Sequence, residues 1–443
     1  MAVRLSDHFT PLRLIRFTCP TMGMLILTSL YTIVDGYFVS NYVGKTAFVA
    51  VNLIFPFIMI PATLGTMIGT GGSALVAKTL GRGKVALARS RFSLLVYFAI
   101  VTGTALSFVW LVFLEPCAVL LGAEGEVLEA CKIYGWVLIP GLTPMILQFM
   151  FQSFFPLAGR PQLGLWVTFA AGVTNILFDY LLIIVFGWGL LGAAIATVGG
   201  MLVGAVPPLL FFALSETSEL RIGRAALEWR AIVKSCTNGA SEFMSNVSMS
   251  LISILYNFLL LKMAGENGVA VYGLLMYIGF MFIAIFLGFG FGAIPVIAYH
   301  YGARNTPELK SLLRYSLAIN LTLGILLSVA GLVLSPFLAR LFLGYDPELA
   351  RMAEHASVIY SFSFIFAGVN IFVSSFYTAL NNGLFSAAVS FVRTLALQAV
   401  AVLVLPFILG LNGIWAATPV AEVLTLFFAL PCLYYTRKEY GYF

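Results

Sequence analysis

Long apolar stretches separated by short polar connectors dominate this sequence. A helix that crosses a bilayer needs about 20 mostly apolar residues, and measured by that length the pattern predicts twelve membrane-spanning helices. Six precede a polar connector at residues 215–230 and six follow it. The predicted helices are residues 12–40, 47–78, 90–114, 127–157, 162–185, 190–214, 230–263, 268–299, 311–334, 348–380, 384–410 and 412–436. The pattern therefore predicts an all-α integral membrane protein.

The two halves of the chain resemble each other. The segment GKTAFVAVNL, from Gly44, matches GENGVAVYGL, from Gly265, at an offset of 221 residues. The same offset places Gly81 on Gly302 and Thr197 on Thr418. Because each half holds an even number of helices, the repeat is parallel and relates the halves by an axis along the membrane normal. We predict two pseudo-symmetric six-helix lobes, residues 1–219 and 220–443, around a central cleft.

Composition and charge place most of the surface in lipid. Charged residues are 9% of the chain, against about 25% in a soluble domain, and apolar residues are 61%. The net charge of +6 does not indicate a nucleic-acid partner, because the basic residues lie in the connectors. With the N-terminus in the cytoplasm, 18 of the 24 Lys and Arg fall on the cytoplasmic side and 5 outside. We predict a multi-pass protein of the cell (inner or plasma) membrane, surrounded by lipid, with both termini cytoplasmic.

The sequence contains no recognisable catalytic or nucleotide-binding motif. Glycine runs such as GTGGS, from Gly69, lie inside predicted helices and repeat between the halves, so close helix packing explains them better than phosphate binding. The cysteines and histidines are too scattered for a metal site. We expect no enzymatic activity, no catalytic residue and no cofactor, and we expect a monomer whose energy comes from an ion gradient.

Two carboxylates inside predicted helices of the first half stand out, since an ionisable side chain there costs at least about 2.5 kcal/mol. Asp35 and Asp179 lie at similar depth, roughly 8 to 10 Å from the outer end of their helices by helix rise. The accompanying polar side chains are Tyr31, Asn175 and Thr197. Such oxygens suit a small cation, and two adjacent carboxylates can share a proton near neutral pH. We predict a coupling site for H⁺ or Na⁺, with Na⁺ held by Asp35, Asn175, Asp179 and Thr197.

A purely structural role for these acids is the alternative. The repeat argues against it, because Asp35 maps onto Tyr256, and Asp179 maps onto Val400 or Ala401. An acid pair required by the shared architecture would recur in the second half. Pro20, within the first helix, is predicted to allow a kink that is either static or coupled to ion binding.

The second half has its own intramembrane charges, Glu242, Arg393 and Glu422. By helix rise all three lie roughly 14 to 21 Å from the cytoplasmic side, so we expect them to form one cluster. Two interpretations remain open. The cluster is a structural network neutralised by Arg393, or Glu242 and Glu422 provide a second proton site or a site for a cationic substrate.

Several segments resemble the multidrug and toxic compound extrusion (MATE) family, in the bacterial branch of the DNA-damage-inducible and staphylococcal multidrug exporters. They are LYTIVDGYFVSNYVG (30–44), TNILFDYLLI (174–183), GLLGAAIAT (189–197) and YHYGARN (299–305). The resemblance implies twelve helices in two lobes and export of mostly cationic, amphipathic compounds against an inward proton or sodium gradient. It also adds Tyr134 to the cation site, and Glu242 departs from some members of the branch.

We therefore predict a cation-coupled antiporter that exports amphipathic, cationic organic compounds. A flippase for lipid or polysaccharide precursors is the first alternative, although such proteins often carry about fourteen helices and a basic cleft. A receptor or scaffold without transport activity is the second, and it leaves the duplication and the intramembrane acids without a purpose.

Overall fold

The computed structural model describes residues 4–215, 219–343 and 346–442, which form helices and connectors without a β-strand. The helices of the first half are α1 (Pro11–Phe38), α2 (Lys45–Gly81), α3 (Val85–Leu120), α4 (Gly125–Leu138), α5 (Leu142–Leu157), α6 (Pro161–Asp179) and α7 (Gly189–Leu214). Those of the second half are α8 (Trp229–Asn238), α9 (Ala240–Gly302), α10 (Thr306–Leu343), α11 (Pro347–Ser361), α12 (Phe364–Ala379), α13 (Gly383–Phe391), α14 (Leu397–Leu409) and α15 (Leu411–Tyr440).

In the described part of the chain, ten helices are long and apolar enough to cross a membrane, and the bent pair α11 and α12 adds an eleventh. Because α9 is long enough for two crossings, the total is twelve, in the predicted order. Helix α9 has 63 residues and contains two of them, separated by Gly265, whose φ of 62° and ψ of −153° are not helical. Helices α11 and α12 form a single crossing bent by 47°. Several helices are longer than predicted; α3, for example, begins at Val85 rather than at residue 90 and ends at Leu120 rather than at 114. Backbone hydrogen bonding continues past the hydrocarbon region, so the apolar stretch underestimates helix length.

Glycines mediate close contact between the lobes in symmetric pairs. A Cβ on Gly81 of α2 would overlap the backbone at Tyr299 of α9, and a Cβ on its repeat equivalent Gly302 would overlap the backbone at Lys78. Glycine is the residue that permits backbones to approach this closely. The equivalent contacts are thus exchanged between the lobes, as a two-fold axis between α2 and α9 requires.

Both described ends of the chain lie on one side of the bundle, here named the terminal side. The ring of Tyr440, at the end of α15, lies 5.7 Å from that of Tyr301, at the end of α9. The backbone N–H of Phe9, just before α1, donates to Glu308 at the start of α10, which directly follows α9. Residues 68–77 of α2 and 288–298 of α9 are buried all round, whereas the opposite halves of both helices carry exposed side chains. Contact between the lobes is therefore concentrated on the terminal side.

Candidate functional site

The predicted polar residues of the first half converge around Asp35 of α1. The hydroxyl of Thr197 on α7 donates to Asp35 Oδ1 at 3.3 Å and also to the Ala193 carbonyl at 3.0 Å. Asn175 and Asp179 of α6 both interact with the Asp35 carboxyl group. Three helices thus place two carboxylates, an amide and a hydroxyl at one location.

Asp179 is fully buried, and its hydrogen-bonding capacity is unused. Neither of its carboxylate oxygens, nor the amide oxygen of Asn175, has a hydrogen-bond partner among the described residues. A buried carboxylate without a donor is unfavourable unless a proton or cation neutralises it. Asp179 is also the last residue of α6 before a π-helical turn, Tyr180–Val185, and such turns are frequent at functional sites.

Aromatic and amide side chains enclose this cluster. Tyr134 is 2% exposed and interacts with Asp35, Asp179 and Thr197. The hydroxyl of Tyr31 accepts a hydrogen bond from Gln148 Nε2 at 3.2 Å. The structure therefore brings Tyr134 and Tyr31 to the same site as the two carboxylates, the amide and the hydroxyl described above.

Sequence reasoning missed the amides of α5. Besides the bond from Gln148 to Tyr31, Gln152 Nε2 donates to the hydroxyl of Thr28 on α1 at 3.3 Å. The available signal was two glutamines, four residues apart, in an otherwise apolar stretch. They bind α1 to α5 one and two helical turns before Asp35.

Helix α1 runs unbroken from Pro11 to Phe38 through the buried Pro20. The departure from α-helical geometry comes instead after Asp35, in the π-helical turn Val39–Val43. The helix is continuous at Pro20, because a single missing hydrogen bond is tolerated where neighbouring helices pack closely, and the kink at Pro20 stays a prediction.

The charges of the second half form a pair rather than a triad. Arg393 Nε donates to Glu422 Oε1 at 2.9 Å, and Asn370 Nδ2 donates to Glu422 Oε2 at 2.7 Å. Both side chains of the ion pair are largely buried. Glu242 feels the charge of Arg393, but no ion pair within 4.0 Å joins it to Arg393 in the part of the chain that the structure describes. Glu422 is therefore neutralised locally, and Glu242 is not.

The donor chemistry of the N-terminal cluster fits a proton or an alkali-metal ion. All its ligand atoms are oxygens, which suit hard cations. Among the residues described, no group of three or more His, Cys, Asp or Glu side chains is placed to hold a metal ion.

Comparison with known proteins is decisive for the family. The MatE family model matches the chain twice, over residues 20–181 and 243–404, once in each lobe. This chain belongs to the MATE family. MATE proteins are membrane transporters and not enzymes, so this MATE chain is a multi-pass transporter, and the family relationship agrees with the fold.

Relatives of this MATE chain cover nearly its whole length. It is 23% identical over 430 residues to the multidrug export protein MepA of Staphylococcus aureus (strain MSSA476), covering 96% of this chain and 94% of the relative. A crystal structure of a MATE protein in complex with MaL6 superposes with a TM-score of 0.91 at 22% identity, over 99% and 97% of the two chains. The structure of an outward-facing multidrug resistance MATE transporter superposes with a TM-score of 0.89 at 22% identity, over 99% of this chain and 97% of that chain. These structures share the fold.

Proposed function

We propose that this protein is an antiporter that exports amphipathic, cationic organic compounds across the cell membrane in exchange for H⁺ or Na⁺. The observation that carries the proposal is the meeting of Asp35 with the buried, unpartnered carboxylate of Asp179. Relatives named as multidrug exporters support the class of substrate. The flippase alternative finds less support, since the charges within the predicted membrane-spanning helices are four acids, Asp35, Asp179, Glu242 and Glu422, and one arginine, Arg393.

Coupling requires that the ion bind the two conformations of the transporter differently. An H⁺ or Na⁺ at Asp35 and Asp179 would neutralise two carboxylates that repel each other across a low-dielectric site. Loading would therefore draw α1 and α6 together, while release would separate them. Because α1 also contacts α9 of the other lobe, a movement of α1 would reach the interface between the lobes.

The excess of Lys and Arg on the terminal side supports a cytoplasmic location for both termini. With this orientation the Asp35 and Asp179 cluster lies toward the external side, where it would take up the ion that enters the cell. Substrate would leave through the external half of the cleft after ion loading.

Flux in proteoliposomes tests the proposal. The purified protein should drive transport of a fluorescent organic cation when a proton or sodium gradient is imposed, and Asp179→Asn should reduce the gradient-driven flux to the level of empty liposomes. Tyr256→Phe, at the position equivalent to Asp35 in the other lobe, is the matched control and should retain coupling. Gradient-driven flux that persists in Asp179→Asn would rule out the assignment of the site.

A further inference from the structure

The segment before α1 reaches across to the other lobe. His8 Nδ1 lies 2.6 Å from Glu308 Oε2 on α10, and the backbone N–H of Phe9 donates to the other carboxylate oxygen at 2.8 Å. Glu308 is 7% exposed, and Phe9 is completely buried. The start of the N-terminal lobe is thus fastened to the C-terminal lobe by one carboxylate that receives two donors.

The segment before α8 forms the reciprocal attachment. Glu228 precedes the first helix of the C-terminal lobe, and its carboxylate accepts two hydrogen bonds from Arg91 on α3 of the N-terminal lobe, at 2.6 and 2.9 Å. Arg91 also donates to the hydroxyl of Thr79 on α2 at 2.9 Å. A bidentate arginine–carboxylate pair is among the stronger polar contacts available in proteins.

The repeat relates these two attachments. With the offset of 221 residues, Asp7 is equivalent to Glu228 and His8 is equivalent to Trp229. Glu228 therefore lies directly before the position that corresponds to His8. In each case the residues before the first helix of one lobe are paired with the beginning of the third membrane crossing of the other lobe, α10 or α3. Both pairs lie on the terminal side, where glycine contacts already bring the lobes together.

We propose that the His8–Glu308 and Arg91–Glu228 pairs form a two-point latch that holds the lobes closed on the terminal side. An opening toward that side that separates α1 from α10 and the connector before α8 from α3 would break both pairs. The latch does not depend on which ion or substrate is transported, so its failure and that of the proposed function are separable.

Distance measurement between spin labels on the two lobes tests the latch. Labels at Lys84→Cys and Lys310→Cys, both exposed on the terminal side, would report its opening in full-length protein whose five native cysteines are replaced. Glu308→Gln and Glu228→Gln keep side-chain shape but remove the charge. Each should raise the ratio of open to closed lobes by roughly 1.4- to fivefold, since partly exposed ion pairs are worth about 0.2–1 kcal/mol. The double variant should approach the product of the two effects.

Glu129→Gln is the matched control, because Glu129 pairs with Lys132 at 3.1 Å within a single lobe. It should leave the distance distribution unchanged. The latch would be refuted by a wild-type distribution in the double variant, or by an equal shift in Glu129→Gln.

Discussion

The hydroxyl of Tyr256 lies 3.0 Å from that of Thr418, at the two positions that the repeat makes equivalent to Asp35 and Thr197. The equivalent contact in the N-terminal lobe, from the Thr197 hydroxyl to Asp35 Oδ1, spans 3.3 Å. In the C-terminal lobe Gln398 completes a neutral network by donating to both hydroxyls, at 3.0 and 2.7 Å. The same backbone positions thus hold a satisfied, uncharged network in one lobe and an incompletely satisfied acid pair in the other.

This asymmetry predicts different outcomes for one substitution made in both lobes. Thr197→Val removes the hydrogen bond to the Asp35 carboxyl group at nearly constant volume, and should change the apparent affinity for the coupling ion by roughly tenfold, as expected for a bond to a charged group. The affinity should fall for Na⁺, which loses an oxygen ligand, and rise for H⁺, because the ionised carboxylate loses a donor. Thr418→Val removes a neutral bond and should leave that affinity unchanged. The measurement is transport rate against external ion concentration, and equal effects in the two variants would contradict the assignment.

The order of the membrane-spanning helices could be predicted from the sequence because apolar length acts locally along the chain. The repeat located equivalent positions, and the depth of Asp35, Asn175, Asp179 and Thr197 indicated that they would meet. The described π-helical turns, which follow Asp35 and Asp179 and contain Arg393, left no comparable sequence signal. The pairing of His8 with Glu308 was equally inaccessible, since the two residues are 300 positions apart and a lone charge does not reveal its partner.

Glu242 and Glu422, the two acids within predicted membrane-spanning helices of the C-terminal lobe, should respond differently to neutralisation. Glu422→Gln leaves Arg393 buried without its counter-charge, and breaking such a pair typically destabilises a protein by about 3–5 kcal/mol. Glu242→Gln breaks no ion pair and should leave the midpoint of thermal unfolding unchanged. If Glu242 is a second proton or substrate-cation site, the same variant should abolish transport. Thermal unfolding and proteoliposome flux of both variants separate the roles, and normal transport by Glu242→Gln would end its functional interpretation.

The glycine contacts predict that the effect of a Gly→Ala substitution on thermal stability depends strongly on its position. A Cβ at Gly288 of α9 would overlap the backbone at Met22 of α1, in the other lobe, whereas a Cβ at Gly36 would meet nothing within 4 Å. Gly288→Ala should lower the midpoint of thermal unfolding, since overpacking costs about 1–3 kcal/mol. Gly36→Ala should preserve or slightly raise it, by about 0.5–1 kcal/mol of helix stability. A neutral effect at Gly288 would show that the helices separate readily there.

The Arg91–Glu228 pair lies at the ends of the membrane-spanning helices and predicts a pH dependence of thermal stability. The hydrogen bonds from the Arg91 guanidinium hold the pKa of Glu228 below its ordinary value. A group whose pKa is lowered on folding contributes its stabilisation above the unfolded pKa and loses it as pH falls through the folded pKa. Wild-type protein should therefore exceed Glu228→Gln in thermal stability by a small, constant margin at neutral pH, because the site is partly exposed. That margin should vanish in acid, below the ordinary pKa of a glutamate, when unfolding midpoints of the two proteins are compared across pH. A difference that grows in acid would mean that Glu228 is stabilised in its protonated form and that the bidentate pair does not hold the two lobes together.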